Sequence, residues 1–166
     1  MWKGVSPAGT IEAHEIPAKP LDPYSYYNGD FIALEKAHLN KGWKLVDNWH
    51  PDNKAGKRNG FVDVPMLEAT RPGDRLTLDF HGKAIGIFCV SGPSAGILEY
   101  SVDGAPFKEL NTFTEWSHNL YIPWVYMLET ELKDMDHKLV LRISKKKNPA
   151  SQGTECQIRN FVVNGR

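Results

Sequence analysis

The sequence predicts an all-β protein, a single antiparallel β-sandwich of about nine strands entered through an extended, proline-rich strap. Three observations carry this. From Phe31 onward, apolar residues recur with a period of two, as on half-buried strands, and not with the 3.6 of a helix. Turn-forming clusters separate these runs at sandwich spacing: "RPGD" at 71–74, "SGPSAG" at 91–96, "VDGAPF" at 102–107 and "KDMDHK" at 133–138. Eleven prolines and fourteen glycines in 166 residues favour many turns and few long helices.

In chain order, residues 1–30 read as the strap. "EIPAKPLDPYSYYNGD" has three prolines, an Asn-Gly pair and no periodicity, and Tyr24, Tyr26 and Tyr27 suggest that it packs on a surface. Residues 31–166 form the sandwich domain. "FIALEKAHL" at 31–39 reads as an irregular strand in preference to a short helix. "WKLVDNW" is a strand flanked by Trp43 and Trp49, and "FVDVPML" offers Val62, Val64 and Met66 as its inner face. "RLTLDFHG" turns Leu76, Leu78 and Phe80 inward, "ILEYSVDG" does so with Leu98, Tyr100 and Val102, and "KLVLRIS" with Leu139, Leu141 and Ile143. "IGIFCV" is apolar on both faces and belongs mid-sheet. Asp103-Gly104 is the strongest hairpin signal in the chain.

Composition narrows the function. Twenty basic and twenty acidic residues cancel, so no overall field attracts nucleic acid or an anionic membrane. A hydrophobic content of 41% is globular, the length suits one domain, and no apolar run approaches membrane-spanning length. "MWKGVSPAGTIEAHEI" lacks the basic-then-apolar pattern of a signal peptide. Cys89 and Cys156 make no disulfide framework; a bridge between them is open if their strands are neighbours. The six histidines (His14, His38, His50, His81, His118, His137) lack HExxH or HxH spacing, and there is no EF-hand loop, so no metal or cofactor is expected. The carboxylates Asp47, Asp52, Asp63, Asp79 and Glu99 show no paired motif for glycoside hydrolysis.

Short motifs invite catalytic readings that their context opposes. Asp134-x-x-His137 has the spacing with which SGNH-type esterases carry the acid and base of their triad, but it falls in a tight, charged turn. The required Gly-Asp-Ser turn is missing: "NGDFIA" places Phe31 where the serine belongs. No catalytic residue is expected. "SGPSAG" resembles a phosphate loop, yet strand pattern resumes at Ile97 and no helix opens there. "SKKKNPAS" at 144–151 reads as a solvated loop. In "TEWSHNLYIPW", Trp124 stands between Pro123 and Val125 and reads as core. Trp116, among polar neighbours, reads as an exposed or interface residue.

The stretch "AIGIFCVSGPSAGILEYSVDGAPFKELNTFTEWSHNLYIPWVYML", continued by "HKLVLRISKKKNPASQGTECQIRNFVVN", resembles the β-sandwich domain that follows the catalytic domain in bacterial SGNH/GDSL-type hydrolases. "SGPSAG", "EYSVDG", F-T-x-W-S at 113–117, "PW" at 123–124 and "FVVNG" carry the likeness, and "PLDPYSYYNG" and "RNGFVDVPML" extend it to about residues 19–164. The resemblance implies a jelly-roll or carbohydrate-module-like accessory domain, periplasmic or extracellular, partnered by an N-terminal SGNH/GDSL-type hydrolase domain that acts on acylated carbohydrates. That family's triad lies in the other domain, so nothing catalytic carries over. In a packing version Trp116 is buried against the hydrolase. In a glycan-binding version it stacks on a sugar, and Ser117, His118 and Asn119 bond its hydroxyls. Lys145, Lys147 and Asn148 join them if loops 113–122 and 144–152 share one end of the sandwich. A self-sufficient hydrolase using Asp134 and His137, and a purely structural or adhesion domain, are the alternatives.

Overall fold

A computed structural model describes residue 15, residues 17–25 and residues 28–164. Eleven strands follow in chain order: β1 (Gly29–Ile32), β2 (His38–Lys41), β3 (Lys44–Trp49), β4 (Val64–Ala69), β5 (Arg75–Gly82), β6 (Ala84–Ser91), β7 (Ile97–Val102), β8 (Lys108–Asn111), β9 (Ile122–Glu129), β10 (Met135–Ile143) and β11 (Cys156–Asn164). No α-helix occurs among the described residues, only 3-10 turns at Leu34–Lys36 and Glu115–His118. Eleven strands stand close to the expected count of about nine. One additional strand comes from 31–39, read as a single irregular strand, where β1, one 3-10 turn and β2 cross from one sheet to the other.

One sheet has the order β3-β4-β11-β6-β9, and the other β2-β5-β10-β7-β8. All pairs are antiparallel. The strands β4 to β11 alternate between sheets in the pattern of a jelly roll, with first-last-third-sixth strands facing second-seventh-fourth-fifth. β11 holds the first sheet together. Cys156–Ile158 pair with β4, Phe161–Asn164 pair with β1, and its other edge pairs with β6.

Alternation places Leu76, Leu78, Leu98, Leu139, Leu141 and Ile143 against Leu67, Ile85, Ile87, Ile158 and Phe161, all fully buried. β6, apolar on both faces, lies between β11 and β9. Cys89 and Cys156 are on neighbouring strands but both thiols are free: Cys89 opposes Ile158 and Cys156 opposes Ala69. Burial pushes the Cys89 thiol up to about 12, so it is inert packing. At 103–107 the expected hairpin joins β7 to β8, with Asp103 and Gly104 both at positive φ (52° and 77°).

Two face assignments change. In β4 the residues turned to the main core are Leu67 and Ala69, while Val64 and Met66 face outward. Met66 is nevertheless fully buried, because the arm 50–63 folds back over the sheet and encloses a second cluster of Trp49, Met66, Val90 and Tyr121. Trp124 is not core. It pairs with Cys89 on the inward side of β9, but β9 is the outermost strand of its sheet, so the ring hangs over the open edge, 42% exposed and 6.4 Å from Tyr126. In the strap, Leu21 and Tyr24 are exposed and the Lys83 ammonium donates to the Pro23 carbonyl at 2.9 Å. Tyr26, Tyr27, His14 and nearly all of the stretch read for a signal peptide lie outside the described residues.

If the arm is an integral part of the fold, Met66→Ala costs about 2–5 kcal/mol, the range of a main-core truncation. Urea titration measures it; a loss below about 1 kcal/mol, the size of a surface effect, would mean that the arm is only loosely laid on.

Candidate functional site

The turns after β6, β8 and β10 (92–96, 112–121 and 144–155) gather at one end of the sandwich, and the arm 50–63 reaches them across the outer face. The Gly56 amide donates to the Asn119 carbonyl at 2.7 Å and the Tyr121 amide to the Gly56 carbonyl at 2.8 Å. Tyr121 stands edge-on to Trp49 with ring centres 5.5 Å apart. It fits because residue 92 is glycine: a Cβ there would lie 2.1 Å from the Tyr121 ring.

Between arm and turns runs a polar groove in two lobes that share Asn53. One lobe, about 330 Å3, is bordered by Trp49, His50, Asp52, Glu68, Tyr121 and Glu155. The other, about 390 Å3, is bordered by Lys54, Pro93, His118, Asn119 and Gln152. The Asn53 amide donates to the Tyr121 hydroxyl at 2.7 Å. Glu68 receives the Trp49 indole N–H at 3.0 Å and the Lys44 ammonium at 2.8 Å. Burial opposes its charge, but these two donors outweigh burial and hold its carboxyl below the ordinary value. Glu155 is the reverse case: burial, aided by the negative charge of Glu68, raises its carboxyl, and among the described residues only the Gln157 amide donates to it, at 3.3 Å.

The structure divides the residues singled out in the sequence. His118 and Asn119 line the groove together with Gln152, so loops 113–122 and 144–152 do share one end. Ser117 is fully buried, its hydroxyl accepting from the Thr114 amide at 3.1 Å to cap the 3-10 turn. Trp116 is 60% exposed on that turn and borders neither lobe. Lys145 and Lys147 are exposed outside the groove, and the Asn148 side chain caps its own turn by accepting from the Ala150 amide at 2.9 Å. Asn53, Glu68, Tyr121 and Glu155 also border the groove, with no sequence signal that marks them. They come from four separate segments with no common motif.

At the other end, Asp134 and His137 do not pair. His137 is buried, with Nδ1 2.6 Å from Asp103 and Nε2 2.9 Å from the Lys133 carbonyl. Asp134 instead lies 3.4 Å from His81, whose other nitrogen meets Asp136 at 2.9 Å. Both ring nitrogens of His137 face acceptors, which the doubly protonated ring alone satisfies. Burial disfavours that charge, but the Lys133 carbonyl and Asp103 outweigh it and raise the His137 value. The pair braces the β7–β8 and β9–β10 turns.

The outer face of the six-stranded sheet also carries an apolar stripe. Phe31, Val162, Gly86 and Met127 form one cross-strand row, and Phe88 opposes Val125 beside it. Phe31 is 60%, Val125 50% and Met127 47% exposed. Gly86 lets its flanks close in, since a Cβ there would lie 2.8 Å from Val162 and 2.9 Å from Met127.

No protein family and no curated protein matches the chain. Its fold has solved counterparts. A two-domain esterase (CEX) active on acetylated mannans superposes with TM-score 0.59 at 14% identity, over 95% of this chain and 41% of that one. A family two carbohydrate esterase from Cellvibrio japonicus gives 0.50 at 12% identity, over 84% and 34%. An exo-β-1,3-galactanase from Phanerochaete chrysosporium, solved with galactose, gives 0.52 at 11%, over 83% and 30%. This chain therefore spans about two fifths of the length of the two-domain esterase. It has the β-sandwich fold that such carbohydrate-active chains contain.

Because the folded value of His137 is raised, its contribution to stability is complete below the unfolded value near about 6.5 and is lost as pH rises through the folded value. Asp103 stays ionised across that range, its carboxyl held low by the Lys138 amide and His137. The melting-temperature gap between wild type and Asp103→Asn should therefore narrow from pH 6 to pH 9. A constant gap would mean that the ring is uncharged.

Proposed function

We propose that this chain is a non-catalytic β-sandwich accessory module of an SGNH/GDSL-type hydrolase acting on acylated carbohydrates, working outside the cytoplasm and seated against the catalytic domain. The observation that carries the reading is the stripe of Phe31, Val125 and Met127, large apolar side chains held in the open on a flat sheet face. An occupant that covers it must be apolar and broad, as a neighbouring domain is. The strap supports this choice, since it leads directly into β1, which contributes Phe31 to the stripe. The fold match supports it too: the comparable sandwich is part of a two-domain esterase active on acetylated mannans. A catalytic role for this chain itself is disfavoured by the geometry of His137, whose nitrogens are both occupied.

Glycan binding is the second reading, favoured by the 60% exposure of Trp116 in the loop whose His118 and Asn119 border a polar groove.

The isolated chain should hydrolyse neither p-nitrophenyl acetate nor acetylated mannan. Mixed with the separately expressed hydrolase domain of its parent protein, it should co-elute on gel filtration, and Val125→Asp/Met127→Asp should weaken that association at least tenfold while melting within a few degrees of wild type. Ester turnover by the chain alone, or association indifferent to the double substitution, would overturn the reading.

A further inference from the structure

We infer that the lobe between Trp49, Glu68, Tyr121 and Glu155 is a saccharide subsite that takes one neutral pyranose unit through its hydroxyls, with Glu155 as the main acceptor and Tyr121 as the main donor. The inference rests on the glycan reading above and goes beyond it, because it moves the contact from the exposed Trp116 to buried groups in the groove.

The argument starts from what Glu155 lacks. Its carboxylate is half-buried, has no cation within 4 Å among the described residues, and receives one long hydrogen bond, from Gln157 at 3.3 Å. A carboxylate with two oxygens can accept about four hydrogen bonds, so Glu155 keeps acceptor positions that face the groove, where a ligand's hydroxyls can take the place of solvent. Its neighbour Glu68 is better supplied, with the Lys44 ammonium and the Trp49 indole N–H donating to it. Adjacent hydroxyls of a sugar provide donors in the paired geometry that a carboxylate accepts.

Across the lobe, the Tyr121 hydroxyl accepts from Asn53 at 2.7 Å, which leaves its own proton to donate. The Ser94 side chain borders the same space. The groove thus offers donors and acceptors together, as a polyol requires. Its volume, about 330 Å3 for this lobe, falls within the range of small-molecule sites, about 300–1,000 Å3.

Charge and ring geometry narrow the ligand. Asp52, Glu68 and Glu155 border one lobe, which repels uronic acids and other anions. The described residues contain no group of three side chains suited to a metal ion. Trp49 and Tyr121 are buried edge to face, so neither presents a flat ring for stacking. Binding is then by hydrogen bonds to a short stretch of sugar rather than by a platform along a chain.

The test is heteronuclear NMR of the whole chain, titrated with methyl α-mannoside, methyl β-glucoside, methyl β-galactoside, mannopentaose and galacturonate. Saturable shifts are expected at residues 50–56, 91–96, 118–121 and 152–157 with a neutral sugar, and not with galacturonate. Glu155→Ala should weaken binding at least tenfold, and Glu155→Gln, which keeps the shape but loses the charge, at least threefold; unchanged core resonances verify the fold of each. Trp116→Ala should leave the affinity within twofold. Binding that survives Glu155→Ala but fails in Trp116→Ala overturns the subsite and keeps the glycan reading. Preference for galacturonate overturns the charge argument, and no response to any sugar from the folded chain removes the glycan reading and the subsite together.

Discussion

The outer face of the six-stranded sheet is organised by one contact, the edge-to-face packing of Trp49 on Tyr121 above Met66 and Val90. A jelly roll needs nothing on that face to hold its main core together, yet here the arm 50–63 is drawn across it. The arm is anchored by the Asn53 amide on the Tyr121 hydroxyl, by Phe61 packed edge-on against Phe88, and by the reciprocal backbone bonds between Gly56 and the 119–121 segment. Burying Met66 and Val90 supplies the apolar free energy that offsets ordering a long loop. Gly92, with no Cβ, leaves the space in which Tyr121 sits.

That contact partitions the face. On one side of the arm lies the groove, whose wall is the arm itself through His50, Asp52 and Asn53. On the other lies the apolar stripe, which begins where Phe61 of the arm meets Phe88 edge-on at 5.4 Å. One polar, partly desolvated site and one flat apolar surface therefore share a sheet, with a buried cluster between them. The proposed function assigns the apolar surface to a partner domain, and the inferred subsite assigns the groove to a sugar.

Charge is handled differently at the two ends. Near the β7–β8 turn, His137 has an acceptor at each nitrogen, so its charge is satisfied by the fold and stiffens the turns it joins. In the groove, Glu68 meets a cation, and Glu155 meets only the 3.3 Å amide of Gln157 among the described residues. Glu155 is only partly buried, so its remaining acceptor positions face the groove, where the inferred subsite uses them.

Much of the fold was legible in the residues because strand alternation is local. Leu76, Leu78 and Phe80, or Leu139, Leu141 and Ile143, declare an inner face by spacing alone. Turn chemistry at Asp103-Gly104 and the two-sided apolar run of β6 are equally local. Met66 and Trp124 mark where locality ends. Met66 is buried on the outer side because a distant arm covers it, and Trp124 is exposed on the inner side because its strand is the last in the sheet. Neither position in the assembly is written in neighbouring residues. His118 and Asn119 could be found as polar residues beside aromatics, but Asn53, Glu68, Tyr121 and Glu155 meet only when four segments fold together. The sequence by itself determined which residues alternate, where the chain turns, and that no catalytic triad is present in motif form. The tertiary structure alone decided which faces are covered, which charges find partners, and which one is left facing a groove, because those depend on contacts between segments far apart in the chain.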